Sequence, residues 1–192
     1  LGRQQYNQAH IPGAYFLDNE AELVGAVTGK NGRHPLPDLA DFSALLKQYG
    51  VEPTTEIIVY DAQQSVMAAR AWWLLRSAGC QNVRILDGGY KAWLDAGGIT
   101  DNTIELPAVP YSRQVKPVTP ALEIVSAQQI QDQLGQDVYL LLDARAPERF
   151  AGLNEPIDPV AGHIPNALNR FNSLNLNDDG TFKNPDLLKE EF

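Results

Sequence analysis

One cysteine, Cys80, and three histidines, His10, His34 and His163, are the side chains of this sequence best suited to nucleophilic attack, proton transfer or metal binding near neutral pH. Their spacing narrows what they can do. No H-x-x-x-H or C-x-x-C pair is present, so no metal site is expected. A lone cysteine also excludes an internal disulfide framework. Cys80 lies in "AGCQNV", in the turn after a helix-ending glycine, and is expected to be a partly buried structural thiol. His10 and His163 stand in nearly the same phrase, "AHIPGA" at 9–14 and "GHIPNA" at 162–167. Residues placed alike in both phrases are expected to serve architecture, with proline fixing φ and glycine permitting a bend.

The elements that must position these residues read as alternating strands and helices. "GAYFLD" (13–18) reads as a short strand entering a loop rich in Gly and Pro, "TGKNGRHPLP" (28–37). In "PDLADFSALLKQYG", Leu39, Phe42, Leu45, Leu46 and Tyr49 fall at helical spacing, and Gly50 stops the helix. "EIIVYD" (56–61) is an apolar run ending in a polar residue, the pattern of a parallel strand buried on both faces. A helix over 65–79 follows, then a strand, an Asp87-Gly88-Gly89 turn, and a short helix carrying Tyr90 and Trp93. This alternation predicts an α/β fold built on a parallel sheet. Periodicity vanishes from Ile99 to Pro120, where Pro107, Pro110, Pro117 and Pro120 mark a crossing between domains. Ser126 and Gln129 then form a capping-box signature for a helix closed by Gly135. "VYLLLDAR" (138–145) reads as another buried strand.

The order of elements repeats. After His10 come a strand, a loop and a helix opening "PDL" at 37–39; after His163 come "NALNRF", a loop and a helix opening "PDL" at 185–187. Shared order over this length predicts a duplicated α/β domain. The expected organisation is a first domain over 1–106, a Pro-rich linker over 107–120 and the start of a second domain over 121–192, each domain a parallel sheet flanked by helices. The sequence opens on Leu1 without Met and closes on the still periodic "LLKEEF". It is therefore expected to be a piece of a longer protein in which both domains are incomplete. The first would lack its opening strand and the second its later half. A net charge of −9 and a pI near 4.7 argue against nucleic acid or an anionic membrane as partner. No apolar run approaches the roughly 20 residues of a transmembrane helix, and no basic-then-apolar leader opens the chain. The expected location is cytoplasmic, and no cofactor is expected.

Taken in order, "HIPGA", "IVYD", "ARAWWLLR", "ILDGGYKAWL", the Pro-rich crossing, "LLDARAPERF" and "GHIPNA" resemble the rhodanese family, specifically its two-domain thiosulfate and 3-mercaptopyruvate sulfurtransferases. The resemblance covers essentially the whole chain. It implies transfer of sulfane sulfur from a small donor to a thiophilic acceptor, such as cyanide or a thiol, through a cysteine persulfide. In that family the cysteine follows a central strand, in a loop whose N–H groups point inward beside a helix N-terminus and favour a negative sulfur. Asp61 follows "IIVY" where an active domain carries that cysteine, so the resemblance implies a catalytically silent first domain. Carried through the repeat, the cysteine of the second domain falls roughly seventeen residues beyond Phe192.

Other residues acquire roles the same way. Arg149, in "APERF", matches the arginine that holds the donor's anionic end, work suited to paired guanidinium N–H groups, with a surface salt bridge as the alternative. Arg145 is expected to brace the loop at the strand end, and Arg70 to pair with a nearby carboxylate. Mercaptopyruvate-specific members carry a second arginine after an "EP" dipeptide; here that position is Ile157, which tilts the donor toward thiosulfate. Glu20 and His34 match an acid and a histidine that approach the second domain's catalytic loop, a candidate interdomain relay that points instead toward mercaptopyruvate. The alternative for His34 is an ordinary loop histidine. Implied partners are the sulfur donor, the acceptor, and either the remaining segment of the parent protein or a second copy. Two other functions remain to be weighed. One is a non-catalytic rhodanese-like docking or regulatory module. The other is a cysteine-dependent phosphatase of the same fold, disfavoured because no C-x₅-R loop is present.

Overall fold

The computed structural model describes residues 2–29, 31–107, 109–110, 122–136 and 138–192. The chain divides into two compact units, Leu1–Glu123 and Ile124–Phe192.

The first unit contains helices α1 (Gly2–Gln8), α2 (Asn19–Glu22), α3 (Leu39–Gln48), α4 (Val66–Ser77) and α5 (Gly89–Asp95), with strands β1 (Glu56–Val59) and β2 (Asn82–Ile85). Asp18 and Asp38 cap α2 and α3 by accepting backbone N–H bonds from the first turn. β1 and β2 pair in parallel, from Glu56 opposite Asn82 to Val59 opposite Ile85, with α4 as the crossover. Val59 and Val83 pack with Phe42 and Leu46 of α3 and with Ala68, Ala71, Leu74 and Leu75 of α4. Leu74 and Leu75 are almost wholly buried, each burial contributing about 1.5–3 kcal/mol.

Two strand expectations need correction here. Strand side chains alternate, so Ile57 and Val59 meet α3 and α4 while Ile58 points the other way and is 58% exposed. Among the described residues β1 is therefore covered on one face, not both, because both long helices pack on the same side. Residues 14–18 run without regular structure and form no strand. No described strand lies alongside to build a ladder with them. What fixes the approach to this segment is an isolated antiparallel bridge, His10 with Asp101.

The second unit contains α6 (Ala127–Asp132), β3 (Leu142–Asp143), α7 (Pro147–Phe150), β4 (Leu168–Asn169), a 3₁₀ turn (Asn172–Asn175) and α8 (Pro185–Glu191). The capping box at α6 forms in both directions: Ser126 accepts from the Gln129 N–H, and Gln129 accepts from the Ser126 N–H. "VYLLLDAR" gives only the two residues of β3, which pair in parallel with β4, and Leu140 and Leu142 stay exposed. The expected long buried strand is absent because two rungs against one partner neither extend it nor cover it.

The repeated "PDL" does not start its helix at the same point. α3 begins at Leu39 with Asp38 as cap, whereas α8 begins at Pro185 with Asn184 as cap. Asn184 can accept an N–H bond and the matching residue Leu36 cannot, so the helix in the second unit starts two positions earlier. Residues 107, 109 and 110 lie outside any helix or strand, and residues 108 and 111–120 of the expected linker, including Pro117 and Pro120, lie outside the described residues. No described helix is long and apolar enough to cross a membrane.

Candidate functional site

Asp61 sits just beyond the C-terminal end of β1, where the chain turns back into α4. Gln64 and Ser65 both take positive φ, 56° and 64°, each costing on the order of 1 kcal/mol in a residue that carries a side chain. The curl turns backbone N–H groups inward onto the carboxylate. Oδ1 accepts from Gln63 at 2.8 Å and Ser65 at 3.0 Å, and Oδ2 accepts from Met67 and Ala68, both at 2.8 Å. The last two donors belong to the first turn of α4, where otherwise unpaired N–H groups and the helix dipole favour negative charge. The Asp61 carbonyl accepts from Tyr90 N–H at 2.9 Å. Gly89 permits that approach: its φ is +61°, and a Cβ there would stand 2.6 Å from the Asp61 carbonyl oxygen. The result is a nest for one anion, filled by the chain's own carboxylate. A carboxylate there holds the loop but cannot accept sulfane sulfur.

Among the described residues Arg70 pairs with backbone carbonyls and with no carboxylate. Its Nε and Nη2 donate to Leu23 O at 3.0 and 2.6 Å, and Nη2 also donates to His34 O and Pro35 O. The planar fork matches a cluster of loop carbonyls and ties 23–35 to α4. Burial pushes its pKa down, and nearby Glu20 pulls it back up. Glu20 and His34 are brought together on the surface, Oε1 and Nε2 lying 3.5 Å apart. Cys80 is buried behind α4, and burial raises its pKa, so it rests as a thiol and not as the nucleophilic thiolate.

In the second unit Arg149 is enclosed by acids. Its Nε and Nη2 donate to Glu155 Oε2 and Oε1 at 3.1 and 2.9 Å, and Nη2 also donates to Asp158 Oδ2 at 2.9 Å. Glu155 Oε1 accepts in addition from the N–H groups of Ile157 and Asp158. The bonds from Arg149, then those backbone N–H groups, lower the Glu155 pKa from 4.5 to about 2. Arg145 grips Asp143 through Nε and Nη2, reaches Gly162 O at 2.6 Å, and lies 3.4 Å from Glu155. That pairing depresses the Asp143 pKa and raises that of Arg145. Arg145 thus braces the loop after β3. Ile157 supplies no cation and leaves its side chain half-exposed. Glu155 and Asp158 escaped the sequence analysis. The available signal was two acids in 151–162, a segment inserted where the first copy has only residues 7–9.

Both the sequence and the fold match known proteins. A model of the rhodanese-like domain matches residues 2–96. A Pseudomonas aeruginosa protein named "Probable 3-mercaptopyruvate sulfurtransferase" is 44% identical over 194 residues, covering 100% of this chain and 67% of its own length. The chain belongs to the rhodanese family. Thiosulfate sulfurtransferase of Gallus gallus is 29% identical, over 99% of this chain and 64% of its own. The crystal structure of SseA from Escherichia coli, described as a 3-mercaptopyruvate sulfotransferase, shares the fold with a TM-score of 0.81 at 29% identity. It covers 99% of this chain and 69% of SseA. This rhodanese chain thus spans about two thirds of the length of the curated relatives it matches.

The histidine of each rhodanese "HIP" phrase is seated alike. His10 stacks on Tyr6 at 3.8 Å and donates from Nδ1 to the Tyr6 carbonyl at 2.7 Å. His163 stacks on Phe150 at 3.7 Å and donates from Nδ1 to the Phe150 carbonyl at 2.7 Å. The pairs are separated by 4 residues in the first unit and 13 in the second, so the contact survives the insertion that carries Glu155 and Asp158.

Proposed function

We propose that this chain is the silent first domain, the linker and the donor-binding start of the second domain of a tandem sulfurtransferase. The boundaries proposed are 1–106, 107–120 and 121–192. The observation that carries this reading is the Asp61 carboxylate seated in the N–H nest at the mouth of β1. A nest of this kind in the second domain would hold the negative sulfur of a cysteine persulfide, on a cysteine beyond residue 192.

The chemistry balances without an external oxidant or reductant. The cysteine thiolate attacks the outer sulfur of thiosulfate, the sulfur–sulfur bond breaks, and its electron pair leaves with sulfite. Cyanide then attacks the outer sulfur of Cys–S–S⁻, releasing thiocyanate and restoring the thiolate. With 3-mercaptopyruvate the leaving group is the pyruvate enolate, which takes a proton to become pyruvate. Thiosulfate is the donor we favour, because Ile157 stands where a second cation would hold a keto-acid carboxylate. Arg149 would receive the donor's anionic end. The Glu20–His34 pair supports the alternative donor through a proton relay.

The test is thiocyanate formation from thiosulfate and cyanide. The full-length protein should turn over; the 192-residue chain should not, and Cys80→Ser should change neither result. Absence of a reactive cysteine in the full-length protein would favour the docking-module reading instead.

A further inference from the structure

Arg149 is the proposed donor-binding cation, yet in this structure it already holds two carboxylates. The surrounding cluster contains the guanidinium groups of Arg145 and Arg149 and the carboxylates of Asp143, Glu155 and Asp158. Two positive charges face three negative ones. An anionic donor would add a further negative charge to a cluster that is already negative overall, so one carboxylate must give way for it to bind.

The three acids are not equally buried. Glu155 is 4% exposed and accepts from Arg149 through both oxygens and from two backbone N–H groups. Asp143 is 14% exposed and is gripped by the Arg145 fork and by the Arg145 N–H. Asp158 is 36% exposed, the most of the three, and its Oδ2 accepts from Arg149 Nη2. Water already reaches Asp158, whereas freeing Glu155 would strip a buried anion of its partners. Its backbone N–H bond to Glu155 holds the Asp158 main chain in place while the side chain turns out.

We propose that Asp158 is a displaceable internal anion that occupies the donor subsite on Arg149 and sets which anionic donors enter. Resting on the reading of Arg149 given above, it adds a specificity-determining residue. Asp158 keeps the guanidinium neutralised and oriented while the subsite is empty, and a donor sulfonate or carboxylate replaces it on Nη2. Because repulsion scales with the donor's charge, Asp158 opposes doubly charged thiosulfate more than singly charged 3-mercaptopyruvate.

Asp158→Asn in the full-length protein tests this, since it removes the charge and keeps an acceptor of nearly the same shape. The KM for thiosulfate should fall about tenfold and that for 3-mercaptopyruvate about threefold, with kcat unchanged. Asp158→Glu, which retains the charge, should keep the wild-type preference between donors. An unchanged or raised KM in Asp158→Asn, or equal falls for both donors, overturns the proposal. If the wild-type protein transfers no sulfur, the functional reading fails, but the subsite can still be read directly. Sulfate titrated against the Nε–H resonance of Arg149 should bind about tenfold more tightly to Asp158→Asn than to wild type, and equal affinities would reject the displacement.

Discussion

Asp61 satisfies four backbone N–H groups with two oxygens, and those bonds hold a loop containing two consecutive positive-φ residues. The acid is thus the structural counter-charge of its loop. Asp61→Ala should cost about 2 kcal/mol of stability, the range for hydrogen bonds to a charged group, in denaturant unfolding of the first unit, while leaving sulfur transfer by the full-length protein intact. Glu155 plays a comparable part in the second unit, and here pH reports it. Its folded pKa of about 2 lies below the ordinary 4.5. Its contribution is therefore complete above pH 4.5 and is lost as pH falls toward 2. Acid unfolding of wild type should show this component, and Glu155→Gln should lack it. The sequence made Asp61 legible only through the resemblance, because an acid after an apolar strand is otherwise an ordinary turn residue. The partners of Arg149 were not legible at all: Glu155 and Asp158 lie in a Pro-containing loop whose path depends on packing rather than on periodicity.

At the scale of elements, the parts read well from sequence are those whose signals are local. α3 shows helical spacing between a capping Asp and a stopping Gly, and α6 carries its capping box in the letters Ser126 and Gln129. β1 and β2 each end one residue before the apolar run gives way to Asp61 and Asp87. The misread segments, 13–18 and 138–141, are apolar enough for strands, but strands need a neighbouring ladder and sequence alone does not state which neighbours are present. The two histidine–aromatic stacks join elements that sequence distance conceals, and their burial differs. His10 is 2% exposed and also faces the Thr103 carbonyl, whereas His163 is exposed. His10→Ala should therefore destabilise its unit by about 3 kcal/mol and His163→Ala by about 1 kcal/mol or less, as read by chemical denaturation of each variant.

At the scale of the molecule, two units carry the same succession: an aromatic-seated histidine, a short helical turn, a loop and a helix that starts within or at a "PDL" phrase. They differ where chemistry would differ. The first has an occupied anion nest, and the second has an arginine enclosed by acids on an inserted loop. This division is what the proposed function requires: one copy that keeps the fold and another that performs transfer, with the proposed reactive thiol outside residues 1–192. The most direct test is to treat the full-length protein with thiosulfate, digest it without reductant, and locate the peptide that gains the mass of one sulfur atom. The account predicts a persulfide on a cysteine following the second domain's central strand and an unmodified Cys80. A persulfide on Cys80, or on no cysteine at all while thiocyanate is still produced, would contradict it.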